Sequence, residues 1–166
     1  MAPSFEIVGY FPGVIGQITT LHAVYYKTHW GLDHSFEAEV GTEVSSFISH
    51  FDAKKDGLWN AVSGDRFIGC IAITGDRDHL DDTRLRWYIV KPEYHGQGVG
   101  RALIAKAIDF SKASGYKRIY LWTFEGLTQA QSIYEQNGFK LAEVRNVEQW
   151  GGLIKEQRFD LWLTAQ

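Results

Sequence analysis

At 166 residues the chain has the length of one domain and enough material to bury a core. A net charge of -3 and a pI near 6.1, with no run of basic residues, exclude a phosphate-neutralising field, so direct nucleic-acid binding is not expected. A single cysteine, Cys70, excludes an internal disulfide and a Cys-rich metal cage, and no apolar run approaches the ~20 residues of a membrane span. The segment MAPSFEIVGYF lacks the basic start and apolar core of a signal peptide, so the expected location is cytoplasmic. Without repeats, low-complexity tracts or Pro/Gly/Ser-rich linkers, residues 1–166 read as one domain.

In chain order, residues 5–9 read as a first strand. Ile15, Ile18, Leu21 and Tyr25 lie near helical spacing and predict a helix over 14–29. Phe36, Val40, Val44, Phe47 and Phe51 recur at three and four and predict a second over 35–51, with Asp33 and Ser35 as candidate caps. Residues 58–62 and 66–74 read as strands joined by the turn 63–65, an antiparallel hairpin. A polar loop over 75–82 leads to a strand over 83–90, stopped by Pro92. A Gly-rich turn, a helix over 99–114 ended by Gly115, a strand over 117–123 and a short helix over 128–137 follow. Two strands, about 139–148 and 154–163, close the chain. Only strand 83–90, helix 99–114 and strand 117–123 form a parallel crossover, so the fold is a mixed α+β sheet and not a doubly wound one.

The chemistry concentrates in RLRWYIVKPEYHGQGVGRAL, from Arg84 to Leu103. A strand enters a turn holding Gly96, Gly98 and Gly100, and a helix opens directly out of it. Glycines let backbone approach a ligand, and a helix start offers unpaired N–H groups and partial positive charge, which suit a phosphate. Arg101 adds a cation there. Three readings compete: a bare strand-to-helix turn, a dinucleotide site with Glu125 as ribose ligand, and a phosphate cradle of another kind. Glycines at every second residue, the intervening Pro92, Glu93 and Tyr94, and the lack of a second βαβ half argue against the dinucleotide site. Arg84 and Arg86 alternate with Leu85, so strand periodicity puts them on one face with Tyr88, and puts Leu85, Trp87 and Ile89 on the core face. They are either solvated arginines paired with Asp81 or Asp82, or, for Arg86, a guanidinium able to clamp a substrate carboxylate. Tyr25, Tyr26, His29 and Trp30 are too dense for one buried helical face. They form either a packed helix corner or an aromatic wall for an apolar or cationic ligand. The histidines show no metal-binding spacing, and no metal is expected.

The stretch from Ile89 to Leu103 resembles the acyl-CoA motif of the GNAT N-acetyltransferase superfamily: Arg or Gln, two residues, Gly, one residue, Gly or Ala. Here it falls on His95 to Gly100, with His95 in place of Arg or Gln. SIYEQNGF, from Ser132 to Phe139, is similar to the family's second hallmark, a helical Tyr before an Asn-Gly-Phe turn. Segments at Trp30–Asp33, Phe51–Asp52, Asp56–Trp59, Leu85–Val90, Tyr120–Phe124 and Glu156–Phe159 further resemble the acetyltransferase half of bacterial MarR–GNAT fusion proteins.

The resemblance implies a GNAT fold: a mostly antiparallel sheet of six or seven strands with one splayed parallel pair, and about four helices. It implies acetyl-CoA as cosubstrate and direct acetyl transfer to a primary amine of a small molecule or peptide in a ternary complex. The alternative is a catalytically weak acyl-CoA-binding regulatory module. By the same resemblance, Tyr88, Ile89 and Val90 offer main-chain hydrogen bonds to the pantetheine arm, and an N–H near Tyr88 polarises the acetyl carbonyl. His95, Gly96, Gln97, Gly98, Val99, Gly100 and Arg101 hold the pyrophosphate, and Tyr134 is the general acid for the departing thiolate. Arg86 and the Tyr25–Trp30 cluster belong to the acceptor site. Leu127 and Trp122 stand where many relatives carry a CoA-contacting Asn and a basic Glu. The general base is therefore open among Glu37, His29, Glu125 and water. A homodimer is common in the superfamily.

Overall fold

The computed structural model describes residues 4–163. Seven strands and four helices follow one another as β1 (Glu6–Val8), α1 (Val14–Trp30), α2 (His34–Ser49), β2 (Gly57–Ser63), β3 (Arg66–Gly75), β4 (Asp82–Val90), α3 (Val99–Ala113), β5 (Arg118–Phe124), α4 (Thr128–Gln136), β6 (Lys140–Gln149) and β7 (Gly152–Trp162). The order matches the sequence reading, with element ends shifted by a residue or two. The second helix stops at Ser49 and leaves Phe51 outside, 42% exposed. Asp33 is its cap, accepting from the Ser35 backbone N–H at 2.9 Å, whereas Ser35 lies inside the first turn. Gly31, at φ 70, ends α1 by returning its N–H to the Lys27 and Tyr26 carbonyls.

The strands form one sheet in the order β1-β2-β3-β4-β5-β7-β6, antiparallel except for β4 and β5. Each face has its own core. Helices α1 and α2 bring Val14, Ile18, Val40 and Val44 against Phe67, Cys70 and Ala72. Helix α3 brings Val99, Leu103, Ile104 and Ala107 against Ile71, Ile73 and Ile119 on the opposite face. Alternation along β3 serves both layers, which makes it a nearly continuous buried strand.

Two irregularities open this frame. The parallel β4–β5 ladder lasts only from Asp82↔Arg118 to Arg84↔Tyr120, after which the strands part. Along β4, Arg86 pairs with Ala72 and Ile89 with Cys70, so Trp87 and Tyr88 together face Ile71 in a β-bulge. Trp87 sits there at φ 50, and its carbonyl accepts from the Cys70 thiol at 3.1 Å. The bulge corrects the strict alternation expected for this strand. Arg86, Trp87 and Ile89 face α1 and α2, whereas Leu85, Tyr88 and Val90 join the α3 side. Tyr88 and Arg86 therefore lie on opposite faces, because one extra residue reverses the phase.

Candidate active site

Where β4 leaves β5, a cavity of about 1140 Å³ runs through the sheet from one face to the other. Single small-molecule sites usually occupy roughly 300–1,000 Å³, so this cleft has room for two ligands meeting in its throat.

One end is built by the Gly-rich turn. Gly96 at φ 77 and Gly98 at φ 84 occupy left-handed backbone, and a Cβ at either would meet nothing within 4 Å. The turn thus leaves open space beside its backbone. Gly98 caps α3 without a side-chain bond, and the first intrahelical bond is Ala102 N–H to the Gly98 carbonyl at 3.1 Å. The N–H groups of Val99, Gly100 and Arg101 therefore have no helical acceptor. Gly96, Gly98, Gly100 and Arg101 line the cavity, and the Arg101 guanidinium reaches Gln136 of α4 at 3.3 Å across its mouth. His95 also lines it, but its Nε2 donates to the Val90 carbonyl at 2.8 Å, so the imidazole is tied to the end of β4. The side chains of Gln97 and Val99 are not on the wall: Gln97 donates to the Glu93 carbonyl at 3.3 Å, and Val99 is core.

In the throat, Tyr88, Ile89 and Val90 form the free edge of β4, and Tyr134 of α4 stands opposite. Tyr134 is almost wholly buried, its ring 5.8 Å from Tyr88, 5.7 Å from Phe139 and 5.9 Å from Phe159. Burial holds its phenol well above the usual tyrosine range, with Tyr88 and Tyr26 adding to the effect. Burial likewise pushes Tyr88 and Tyr26 up.

The other end lies under α1 and α2. Tyr25, Tyr26, His29 and Arg86 all line it, on the last turns of α1 and on β4. Trp30 does not; it backs the wall by packing on Tyr26 at 5.5 Å and Phe124 at 5.9 Å. Arg86 is ion-paired with Glu43 of α2 and its guanidinium lies 4.4 Å over the Trp87 ring. Pairing of these arginines with Asp81 or Asp82 is thereby corrected. Asp81 bonds Lys117 and Asp82 bonds Arg118, at the opposite end of the strand.

Of the candidate bases, only His29 reaches the wall. Glu37 is exposed off it, and Glu125 pairs with Lys155 at 3.1 Å. Sequence reasoning missed the carboxylates that do line the cleft: Glu43, Glu156, which holds Arg145 at 2.8 Å, and Glu39, which accepts from Trp150 Nε1 at 2.7 Å. It also missed Trp150, whose carbonyl caps the start of α2 at 3.0 Å and brings the β6–β7 turn over this end. The Trp150 contacts join residues more than a hundred positions apart and left no local signal. Cys70 is fully buried and its thiol is pushed far up, so it offers no nucleophile to the cleft. Among the described residues no three His, Cys, Asp or Glu side chains gather as metal ligands, and no helix is long and apolar enough to cross a membrane.

A mixed seven-stranded sheet, opened at its one parallel pair beside a Gly-rich turn into a helix, defines the GNAT fold class. The chain belongs to the GNAT acetyltransferase family, whose profile matches residues 20–139. It is 36% identical over 136 residues to an uncharacterized N-acetyltransferase of Methanocaldococcus jannaschii, covering 80% of this chain and 59% of that protein. It is 30% identical over 118 residues to N-acetylaspartate synthetase of Xenopus tropicalis, covering 70% of this chain and 42% of that protein. The chain thus spans about half the length of these relatives. A GNAT-family acetyltransferase of Staphylococcus aureus superposes with a TM-score of 0.77 at 16% identity, over 97% of this chain and all of the other. An acetyltransferase of Salmonella typhimurium, solved with its cofactor acetyl-CoA, superposes at 0.75 and 13% identity, over 98% and 95%. At such identities these superpositions speak for the fold alone.

Proposed function

We propose that this chain is an acetyl-CoA-dependent N-acetyltransferase that passes the acetyl group directly to a primary amine of a small molecule or peptide. The observation that carries the reading is the fork between β4 and β5. It leaves one strand edge free, with a glycine turn at one mouth and an aromatic, charged pocket at the other.

The turn suits the acetyl-CoA pyrophosphate, because open space lies beside two left-handed glycines and the α3 N–H groups are unpaired. Arg101 supplies the cation, while His95, bound to Val90, is left a minor part. The free edge from Tyr88 to Val90 offers main-chain donors and acceptors to an extended pantetheine arm, and a fixed N–H there would stabilise charge growing on the acetyl oxygen. Tyr134 serves as the acid: its phenol keeps its proton at neutral pH and stands in the throat between the two mouths. The burial that raises this phenol also makes a departing thiolate more basic, so donor and leaving group stay matched. Tyr25, Tyr26, His29 and Arg86 form the acceptor wall. Direct transfer is favoured over an acetyl-cysteine because Cys70 is sealed in the core.

The same proposal includes the likeness to the acetyltransferase half of MarR–GNAT fusions, since Tyr120–Phe124 and Glu156–Phe159 contribute Trp122, Phe124 and Glu156 to the acceptor side. It also includes a homodimer, because β6 is a sheet edge that exposes Leu141 and Val144.

The test is thiol release from acetyl-CoA against a panel of amines, for wild type and Tyr134→Phe. Amine-stimulated release that the Phe variant largely loses supports transfer and the acid role together. Thermal stabilisation by acetyl-CoA with no amine ever turning over would favour the regulatory binding module instead.

A further inference from the structure

Most cations around the acceptor end already have an anion. Arg86 has Glu43, Arg145 has Glu156, and Arg158 has Glu143 at 2.9 Å and Asp160 at 3.0 Å. Arg84 differs. Among the described residues it makes no side-chain hydrogen bond and no ion pair, and its Nε is buried without a partner. It lines the cavity and is the last β4 residue paired with β5, opposite Tyr120, so it stands at the apex of the fork. The Tyr120 hydroxyl is turned away, donating to Asp76 at 3.0 Å. Burial and the neighbouring Arg86 weaken its hold on the proton, and Tyr120, Glu43 and Glu156 only partly offset them. A guanidinium stays charged in proteins, so this charge is left under-compensated at the cavity wall.

We propose that Arg84 receives a carboxylate of the acceptor, and that the acceptor is therefore an aminocarboxylate. The inference rests on the transfer reading above, which puts the reacting amine beside Tyr88. Tyr88 faces Ile71 across the bulge while Arg84 pairs with Thr74, so the two lie three β3 residues apart, roughly 10 Å. An extended arginine side chain and its hydrogen bond span most of that distance, so a carboxylate on the same molecule as the amine lies within its range. A single unmatched cation calls for a single carboxylate, and the planar guanidinium can take it with two parallel hydrogen bonds.

The probes are glycine, β-alanine, γ-aminobutyrate and ε-aminocaproate, each beside its carboxamide. Binding to the CoA-loaded protein is measured by calorimetry, and turnover by thiol release, for wild type, Arg84→Met and Arg84→Lys. Expected is at least one acid that binds about tenfold or more tightly than its amide, a preference that Met abolishes and Lys keeps in part. Acetyl-CoA should stabilise all three proteins alike, which shows that the variants are folded. Equal binding of acids and amides by wild type, or a preference that survives Arg84→Met, would each overturn the proposal. If amides turn over as well as acids, acetyl transfer stands and the carboxylate site falls. If the acid preference is seen and lost with Met but nothing turns over, the carboxylate site stands and acetyl transfer falls.

Discussion

Gly100→Ala isolates one contact in the site. Gly100 lies in the first turn of α3 with ordinary helical backbone, so a methyl group there is conformationally welcome and should add up to about 1 kcal/mol of helix propensity. What it meets is steric. An ideal Cβ would stand well inside van der Waals contact with the Tyr88 hydroxyl, 3.5 Å from Cζ of the same ring and 3.4 Å from Ile133 Cδ1. The Tyr88 ring cannot simply step aside, because Tyr134 packs beside it. It must turn into the fork. Overpacking of this kind costs about 1–3 kcal/mol, so after the propensity gain the net loss should be about 0–2 kcal/mol. At roughly 2–4 °C per kcal/mol that lowers the melting temperature by up to about 8 °C. Stabilisation by added acetyl-CoA should shrink as well, since the displaced ring would enter the path proposed for the pantetheine arm. Tyr88→Phe removes the clashing oxygen and leaves the 3.5 Å contact, so in that background Gly100→Ala should be neutral or stabilising. The double-mutant cycle over thermal or denaturant unfolding should give a coupling of about 1–3 kcal/mol. Gly96→Ala should lose about 1–2 kcal/mol through left-handed strain, with or without the Tyr88 hydroxyl. Equal effects of Gly100→Ala in both backgrounds would refute the steric reasoning.

Tyr134→Phe should lower kcat by about 10²–10⁴-fold while acetyl-CoA still stabilises the protein, and a loss below about threefold would remove the general-acid role. His22 is buried on α1, its Nδ1–H donating to the Ile18 carbonyl at 2.8 Å, and burial lowers its pKa from 6.5 to about 4. The unfolded chain therefore takes up the proton first: this contribution is complete above about pH 6.5 and drains away toward pH 4, by roughly 3 kcal/mol. Denaturant midpoints across that range should fall less steeply for His22→Gln, and an unchanged slope would sink the assignment. Arg118 bonds Asp82 at 2.5 Å and Asp160 at 3.3 Å, and these two carboxylates are only 13% and 11% exposed. Arg118→Met should therefore cost about 3–5 kcal/mol in urea unfolding, and a loss under about 1 kcal/mol would show that the cluster relaxes.

Element order was legible because hydrophobic period and turn chemistry act locally. The Gly-rich turn was legible for the same reason, since Gly96 and Gly98 do sit at positive φ. What escaped was nonlocal. Alternation along β4 counts residues and assumes an unbroken ladder, and Trp87 gives no sign that it adopts left-handed backbone, as a glycine would have. The partner sought for Arg86 was the nearest aspartate in sequence, but strand direction carries Asp81 and Asp82 to the far end of β4. The true partner, Glu43, is fixed by the register of α2 against the sheet, which depends on how Val40 and Val44 pack. Trp150 and Glu156 come from the last hairpin and reach the cleft only because β7 inserts between β5 and β6.

That one inserted residue in β4 accounts for most of the site's layout. A bulge bends its strand and sharpens its twist. Here the strand keeps its bonds to β3 as far as Gly69↔Val90, and the Lys91 N–H continues to the Ile68 carbonyl at 2.8 Å. Meanwhile β5 follows β7 through Phe124↔Glu156. With each strand held by its outer neighbour, the parallel ladder between them stops at Arg84 and the inner edge of β4 is left free. The same phase reversal sends Tyr88 toward α3 and α4 beside Tyr134, and Arg86 toward α2 beside Glu43. Without the bulge both side chains would crowd one face. With it, one short strand gives the cleft two differently lined faces, the two that the proposed transfer assigns to acyl donor and amine, and leaves Arg84 where the two strands diverge.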